Sequence, residues 1–382
     1  MAHNGCTTTT VADYVAKINA ILQNSVADGV PGICAAISSA RGQWAFAAGV
    51  SDLENLEPIQ KTHLFGIGSI SKVFTAVVIF QLIEEKKLQL SDSVGELLSI
   101  EVYNEIDDAK EATVEQLLSH RAGIDSWEDD PIWIRKGRGS EMNPAHLWEK
   151  TEPLEYIRRP KMFAPDPGQW YYANTNYTLL GRIIEKVTQH TAEAEMRRRI
   201  LEPLNLKHIF LEGFEKPNLG LLPGRYHWAT NTFRDTAGIC PSFPEIRGNL
   251  IDCTISNLST EWMAGGLVSS ASDLVRFATA FRDAKLLSAD SLAIMEDWRP
   301  AGSYEMGHGL MRIKRSGDTA WLGHFGGVLG FTGALWWAEK ADCVISVLSN
   351  VGVMHSGDVP SSPAHIILKS DFLEIASQLA AS

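Results

Sequence analysis

"FGIGSISKVFTAVVIFQLIEE" occupies residues 65–85, and its reading decides how the rest of the chain is read. From Val73 onward the stretch is apolar on every side, the signature of a helix enclosed in a core. Ser69, Ser71 and Lys72 stand at the entry to that helix. Helical residues three apart share a face, so Lys72 reaches back toward the Ser69 hydroxyl. Ser69 falls in the first turn, where free backbone N–H groups and the helix dipole favour developing negative charge. Desolvation by Val73, Phe74 and their neighbours lowers the lysine's pKa and makes its neutral amine accessible as a base. Four residues thus supply a nucleophile, a base and electrostatic support. The spacing alone is weak, since roughly one S-x-x-K match is expected by chance in this composition. The bland alternative is a serine capping a core helix and a lysine that snorkels outward.

Two further stretches weigh against the bland alternative. "FAPDPGQWYYANTNYTLLGRIIE", residues 163–185, holds Tyr172 and Asn174 just before a helix that begins near Thr175. Y-x-N is rarer, with about a third of one match expected at random. A phenol beside a cationic lysine shares its proton, and an Asn amide both donates to a substrate carbonyl and accepts from a lysine. Tyr171 and Tyr177 are the competing phenols, read as packing aromatics. "WLGHFGGVLGFTGALWW", residues 321–337, places His324 where a strand starts, followed by Gly326 and Gly327, which permit close backbone approach to a ligand. H-x-G also occurs at His3 and His355, so only the neighbouring strand pattern selects His324.

Working outward, residues 11–26 repeat apolar positions at helical spacing and read as a first helix. "PGICAAIS" and "QWAFAAGV" read as a strand hairpin, as do "FTGALWWA" and "CVISVLSN" near the other end. A last helix is expected over about 364–379. Between the ends, "TVEQLLSH", "NYTLLGRIIEKVT", "EAEMRRRILEPL", "SASDLVRFATAFRD" and "SADSLAIMEDW" all show helical periodicity. Thr113 with Gln116 and Ser270 with Asp273 look like capping boxes. The simplest architecture is α+β: an antiparallel sheet from both chain ends, flanked by helices, with a mostly helical region inserted. As a division, residues 1–65 and 265–382 form the sheet subdomain and 66–264 the helical one, within a single catalytic unit. Two long loops, 125–162 and 212–261, read as site walls.

The 382 residues are 45% hydrophobic and 21% charged, an ordinary globular composition. A formal charge of −12 argues against a nucleic-acid partner, which needs a concentrated basic surface. The nearest basic run, "RRRI" at 197–200, reads as a solvated helix face. No apolar run approaches the ~18 residues of a membrane span. The N-terminus lacks the pattern of a secretory signal, so the expected location is cytoplasmic, or periplasmic or secreted if the sequence is a processed mature form. The five cysteines, Cys6, Cys34, Cys240, Cys253 and Cys343, suggest free buried thiols, with a Cys240–Cys253 bridge as the alternative in an exported form. No metal-ligand spacing or phosphate loop appears, so no cofactor or metal is expected. The oligomeric state is not legible.

Taken in order, S-I-S-K, Y-A-N and H-F-G resemble the three signatures of the serine penicillin-recognising, β-lactamase-related superfamily. That group includes class C β-lactamases, D-alanyl-D-alanine carboxypeptidases, D-aminopeptidases, D-amino-acid amidases and β-lactamase-like esterases. The flanking "TVEQLLSHRAGI", "AGGLVSSASDLVRF" and "GHFGGVLGFTGALWW" match as well, and the resemblance runs from about residue 12 to 350. It implies that Ser69 forms an acyl-enzyme, with Lys72 accepting or relaying its proton. It implies that Tyr172 serves the leaving group and the deacylating water, while Asn174 orients substrate and Lys72. His324 would supply polarity beside Tyr172, and the N–H groups of Ser69 and Gly327 resemble the family's oxyanion hole. Either Lys72 or Tyr172 serves as base in this reading.

One departure redirects the expected activity. Class A and C β-lactamases carry Lys-Thr-Gly where this chain has His-Phe-Gly. A histidine, largely neutral at pH 7, is a poorer partner for a β-lactam carboxylate, and Phe325 lacks the hydroxyl that contacts it. The expectation is therefore a serine hydrolase acting on a small amide or peptide substrate, of the D-amino-acid amidase or carboxypeptidase type. A carboxylesterase or acyl transferase on an ester substrate is the alternative, with Trp127, Trp133, Trp148 and Trp170 suited to an apolar acyl group. A β-lactamase or a non-hydrolytic penicillin-binding sensor ranks lower. Asp129, Asp130 and Glu261 are read as solvated loop carboxylates that could otherwise attract a substrate amine.

Overall fold

The computed structural model describes residues 10–217, 219–314, 319–359 and 362–382. Cys6 and His3, considered above, lie outside the described residues. A nine-stranded antiparallel sheet forms the frame. Its order is Arg299–Ala301, Tyr304–Met306, Met311–Lys314, Ala320–Val328, Phe331–Ala338, Val344–Ser349, Gly32–Ser39, Gly42–Asp52 and Glu57–Pro58. Both expected hairpins are present, and they meet where Gly32–Ser39 pairs with Val344–Ser349, Ile33 opposite Ser349 and Ser38 opposite Val344. Strands buried on both faces read as continuous apolar runs, as "GICAAI" and "VISVLS" do.

One face of the sheet is covered by Val11–Ala27 and Phe372–Ala381, which pack on each other. On the other face lies Ala271–Arg282, whose Phe277 stacks on Phe74 of the buried helix Ser71–Glu84. That helix has no solvent stripe: every residue from Ser71 to Phe80 is buried. Asn174–Thr188 and Trp262–Gly265 pack against it and complete the ground around the site.

Several local expectations are refined. Thr113 and Gln116 form a full capping box. Ser270 caps its helix, but the Asp273 carboxylate turns to the His208 backbone N–H and to Arg276 instead of closing a box. The single C-terminal helix is two, Pro363–Lys369 and Phe372–Ala381, because Ser370 turns extended and its hydroxyl accepts from the Phe372 N–H. The segment after Met196 continues as a π-helical turn, Arg197–Leu201. The long loops carry structure: Pro131–Arg138 and two 3-10 turns in the first, and the strands Tyr226–Trp228, Glu245–Arg247 and Leu250–Asp252 in the second.

Cys34, Cys240, Cys253 and Cys343 are free and buried, so the alternative Cys240–Cys253 bridge is not formed. Of the "RRRI" run only Arg198 stays exposed as a solvated face would require. Arg197 pairs with Glu215, Arg198 with Glu195, and Arg199 is buried between Glu85 and Glu195. Among the described residues, no helix is long and apolar enough to cross a membrane.

Candidate active site

Ser69 lies in a 3-10 turn, Gly68–Ile70, that leads into the helix, which itself begins at Ser71 and not at the serine. Gly68 makes this turn possible. Its φ is +55°, and a Cβ there would sit 2.4 Å from the Gly327 nitrogen. The turn is thereby pressed against the Ala320–Val328 strand, which brings Ser69 to Gly326, Gly327 and His324.

Lys72 is fully buried, and its Nζ donates to Ser69 Oγ at 3.0 Å, Asn174 Oδ1 at 2.6 Å and the Ala264 carbonyl at 2.7 Å. Burial lowers its pKa to about 7, with Glu128 and Glu261 pushing upward and Arg138 downward. The bland alternative of a snorkelling lysine therefore fails.

Asn174 is the first residue of its helix, and its N–H is capped by Ser126 Oγ at 3.0 Å. Thr175 stitches the same segment down, donating to the Asp125 carbonyl and accepting from the Trp127 N–H. This brings Glu128 to the Asn174 side-chain N–H, which donates to it.

The Tyr172 ring stacks on His120, centroids 4.2 Å apart, and Lys72 Nζ sits 4.9 Å from its centre. Its hydroxyl is buried and makes no hydrogen bond among the described residues, yet it faces Ser69. Burial raises its pKa well above 10, with Ser69 moderating the rise, so it is a neutral phenol at pH 7. Tyr171 and Tyr177 do pack as read, donating to Asp129 and to the Leu118 carbonyl.

His324 donates Nδ1–H to the Phe325 carbonyl, which leaves Nε2 as an acceptor, buried and without a partner among the described residues. Burial, and then Lys72, lowers its pKa to about 3, so it is neutral. His120 is the opposite tautomer, because Nδ1 accepts from the Ala173 N–H at 3.1 Å. It holds φ +57°, a left-handed backbone conformation unusual for histidine, and was not singled out by the sequence reading.

Ser69, Tyr172 and His324 open onto one cavity of about 340 Å³. Phe325, Val353 and Met354 form its apolar wall. Among the described residues lining it, the single charged group is the Glu128 carboxylate, and no lysine or arginine lines it. The tryptophans proposed for an acyl pocket are elsewhere. Trp127, Trp133 and Trp148 pack on one another in the core, and Trp170 stands behind Tyr304.

The loop carboxylates are not solvated either. Asp130 caps Pro131–Arg138, and Asp129 accepts from Tyr171 with its pKa raised by burial to about 6. Glu261 is 3% exposed and paired with Arg138 at 2.8 Å. Arg138 and Glu128 were missed by the sequence reading. Nothing in the spacing of residues 128, 138 and 261 signals that they meet.

A family model described as Beta-lactamase matches residues 13–362. The chain belongs to the beta-lactamase family. Among solved structures, this family member is similar to a D-stereospecific amidohydrolase from Streptomyces sp., with TM-score 0.76 and 26% identity over 88% of this chain and 94% of that one. A D-amino acid amidase from Ochrobactrum anthropi SV3, complexed with L-phenylalanine amide, superposes at TM-score 0.81 over 97% of this chain and 100% of that one. At 24% identity that likeness speaks for the fold.

The putative penicillin-binding protein PbpX of Bacillus subtilis is 28% identical over 244 residues, 64% of this chain and 52% of that protein. The beta-lactamase-family region spans between 30% and 52% of the length of the first four curated relatives.

Proposed function

We propose that the protein is a serine hydrolase that cleaves a small amide through an acyl-enzyme on Ser69. The observation that carries this reading is the buried Lys72 amine, 3.0 Å from Ser69 Oγ with a pKa near 7, opposite a neutral Tyr172 phenol. Ser69 Oγ attacks the carbonyl while the neutral Lys72 amine takes its proton. The backbone N–H groups of Ser69 and Gly327 hold the resulting oxyanion. Tyr172 gives its proton to the departing amine and regains one from the Lys72 ammonium. In the second half, water attacks the Ser69 ester, its proton passes to the Tyr172–Lys72 pair, and the acid leaves as Oγ is reprotonated. Lys72 is the base in this scheme because Tyr172 stays protonated at neutral pH. His324 Nε2 is an acceptor available to the phenol or to an amide N–H.

The charge of the cavity favours an amide over a β-lactam. A ligand carboxylate would meet Glu128, which Arg138 pairs from behind, and among the described lining residues no lysine or arginine faces it, whereas an amine or a neutral amide meets no such repulsion. The relative named a D-stereospecific amidohydrolase supports the same side. The ester reading keeps one observation in its favour, the apolar wall of Phe325, Val353 and Met354.

Wild type and Ser69→Ala are incubated with D- and L-amino-acid amides, activated esters and a chromogenic cephalosporin, recording turnover and intact mass. The expected result is amide turnover in wild type only, with an acyl adduct on Ser69. Faster ester turnover with inert amides would establish the esterase reading, and undiminished turnover by Ser69→Ala would move the site elsewhere.

A further inference from the structure

The hydrogen bonds of Lys72 and Asn174 continue inward as a closed ring. Asn174 joins Lys72 to Glu128, and Glu128 pairs with the Arg138 guanidinium. Arg138 also holds Glu261 at 2.8 Å. Glu261 leads into the short helix whose Ala264 carbonyl accepts from Lys72 Nζ, which closes the ring. Arg138 is 1% exposed and joins Glu128 and Glu261, which are more than 130 residues apart in sequence. A buried ion triad is a weak source of stability, because packed apolar side chains of the same volume often serve as well or better. Its placement against Lys72 calls for another role.

We propose that Arg138 is a positioning residue whose guanidinium fixes Glu128 and Glu261, and through them the Asn174 amide and the proton on Lys72. The inference rests on the hydrolase reading above. Burial raises the Glu261 pKa and the Arg138 guanidinium opposes that rise, so Arg138 is what favours the Glu261 carboxylate form. With Lys72 neutral and both acids ionised, the group of Lys72, Glu128, Arg138 and Glu261 carries one net negative charge, and protonation of Lys72 brings it to zero. The two carboxylates therefore favour that proton and Arg138 opposes it.

The other titratable groups around Lys72 are uncharged near neutral pH. Tyr172 and Tyr177 present their rings at 4.9 and 5.4 Å, with both phenols held protonated by burial. His120 and His324 are held neutral, also by burial. On the far side, His355 Nε2 lies 3.2 Å from Arg138, and burial beside that cation lowers its pKa to about 4.

Removing Arg138 leaves two uncompensated carboxylates, which raises the Lys72 pKa, while removing the charge of Glu261 lowers it. The test is the rate at which a fluorophosphonate labels Ser69, followed by intact mass across about pH 5 to 10, in wild type, Arg138→Gln, Glu261→Gln and the double variant. In Arg138→Gln the alkaline-rising limb moves up by about one pH unit, which is about tenfold slower labelling below both midpoints. In Glu261→Gln the limb moves to lower pH, and the double variant lies between the two.

A purely structural role would slow labelling without opposite shifts. If Arg138→Gln does not fold, Glu261→Gln and the double variant carry the test. Midpoints that stay at the wild-type value with wild type labelled overturn this proposal alone. Absence of labelling in folded wild type overturns the hydrolase reading with it.

Discussion

Gly326→Ala is the smallest change that tests how Ser69 is held, because it adds one methyl group where the strand touches the turn. A Cβ at Gly326 would stand 1.9 Å from the Ile67 carbonyl oxygen and 2.9 Å from its carbon. An ordinary carbon–oxygen contact needs about 3.3 Å, so strand and turn must separate by about 1.4 Å. Both obstructing atoms are backbone, and the adjacent Ile67 N–H is tied to the Leu267 carbonyl at 2.9 Å, so the turn has no side chain to move aside. Overpacking of this kind costs about 1–3 kcal/mol of stability, and a displacement near 1 Å at a reacting group costs about 100-fold in rate.

Gly42→Ala, in the strand Gly42–Asp52 of the same sheet, is the control. There the added methyl meets only the Trp44 side chain, at an ordinary contact distance of 3.8 Å. Acylation rate constants and urea denaturation of both variants are measured beside wild type. Gly326→Ala is expected to lose about two orders of magnitude in kcat/KM, and Gly42→Ala to stay within about fivefold. Equal effects from the two would refute the argument that backbone contact between strand and turn sets the position of Ser69.

Tyr172→Phe removes a buried hydroxyl that has no hydrogen-bond partner among the described residues, so the melting temperature is expected to hold or rise while amide turnover falls about 10²–10⁴-fold. A drop in melting temperature would show that the hydroxyl is structural. Acid is expected to destabilise the fold from about pH 6.5 downward, above the range in which ordinary carboxylates titrate. His227 and His324, with pKa values lowered to about 3 by burial, stay neutral in the fold but take up protons in the unfolded chain below about 6.5. Their stability contribution is intact above that value and lost as pH falls, by about 2 kcal/mol each at pH 5. Denaturation midpoints that are equal at neutral pH and at about pH 5 would contradict this. Phe277→Ala removes the ring stacked on Phe74 beneath the buried helix and is expected to cost about 3–5 kcal/mol in urea denaturation. A cost below about 1 kcal/mol would mean that the helix is held by other contacts.

The parts of the site legible in the sequence are those that local geometry fixes. Ser69 and Lys72 meet because they are three residues apart on a helical path, and Asn174 opens a helix whose apolar face is plain in "NYTLLGRIIEKV". Gly326 and Gly327 announced a close approach, although not that the approaching group is the turn bearing Ser69. What was not legible depends on distant segments meeting. Glu261 and Asp130 look like surface carboxylates until Arg138 and Arg159 are placed beside them. Trp127 and Trp133 look like a binding wall until each is seen filling the other's space. In the fold, alternation and apolar runs showed both hairpins, whereas the break at Ser370 arises from one side-chain hydrogen bond that competes with the helix.

The pairing of Gly32–Ser39 with Val344–Ser349 has a consequence for how the chain is made. These partners are about 300 residues apart, so the first hairpin leaves the ribosome with one long apolar edge uncovered for on the order of tens of seconds before its neighbour is synthesised. Contacts of such separation slow folding, and an open strand edge is a template for pairing with another chain. Shielding of that edge during synthesis is therefore expected to raise the yield of active protein. A faster-translated message, or one expressed at lower temperature, tests this without altering a single residue.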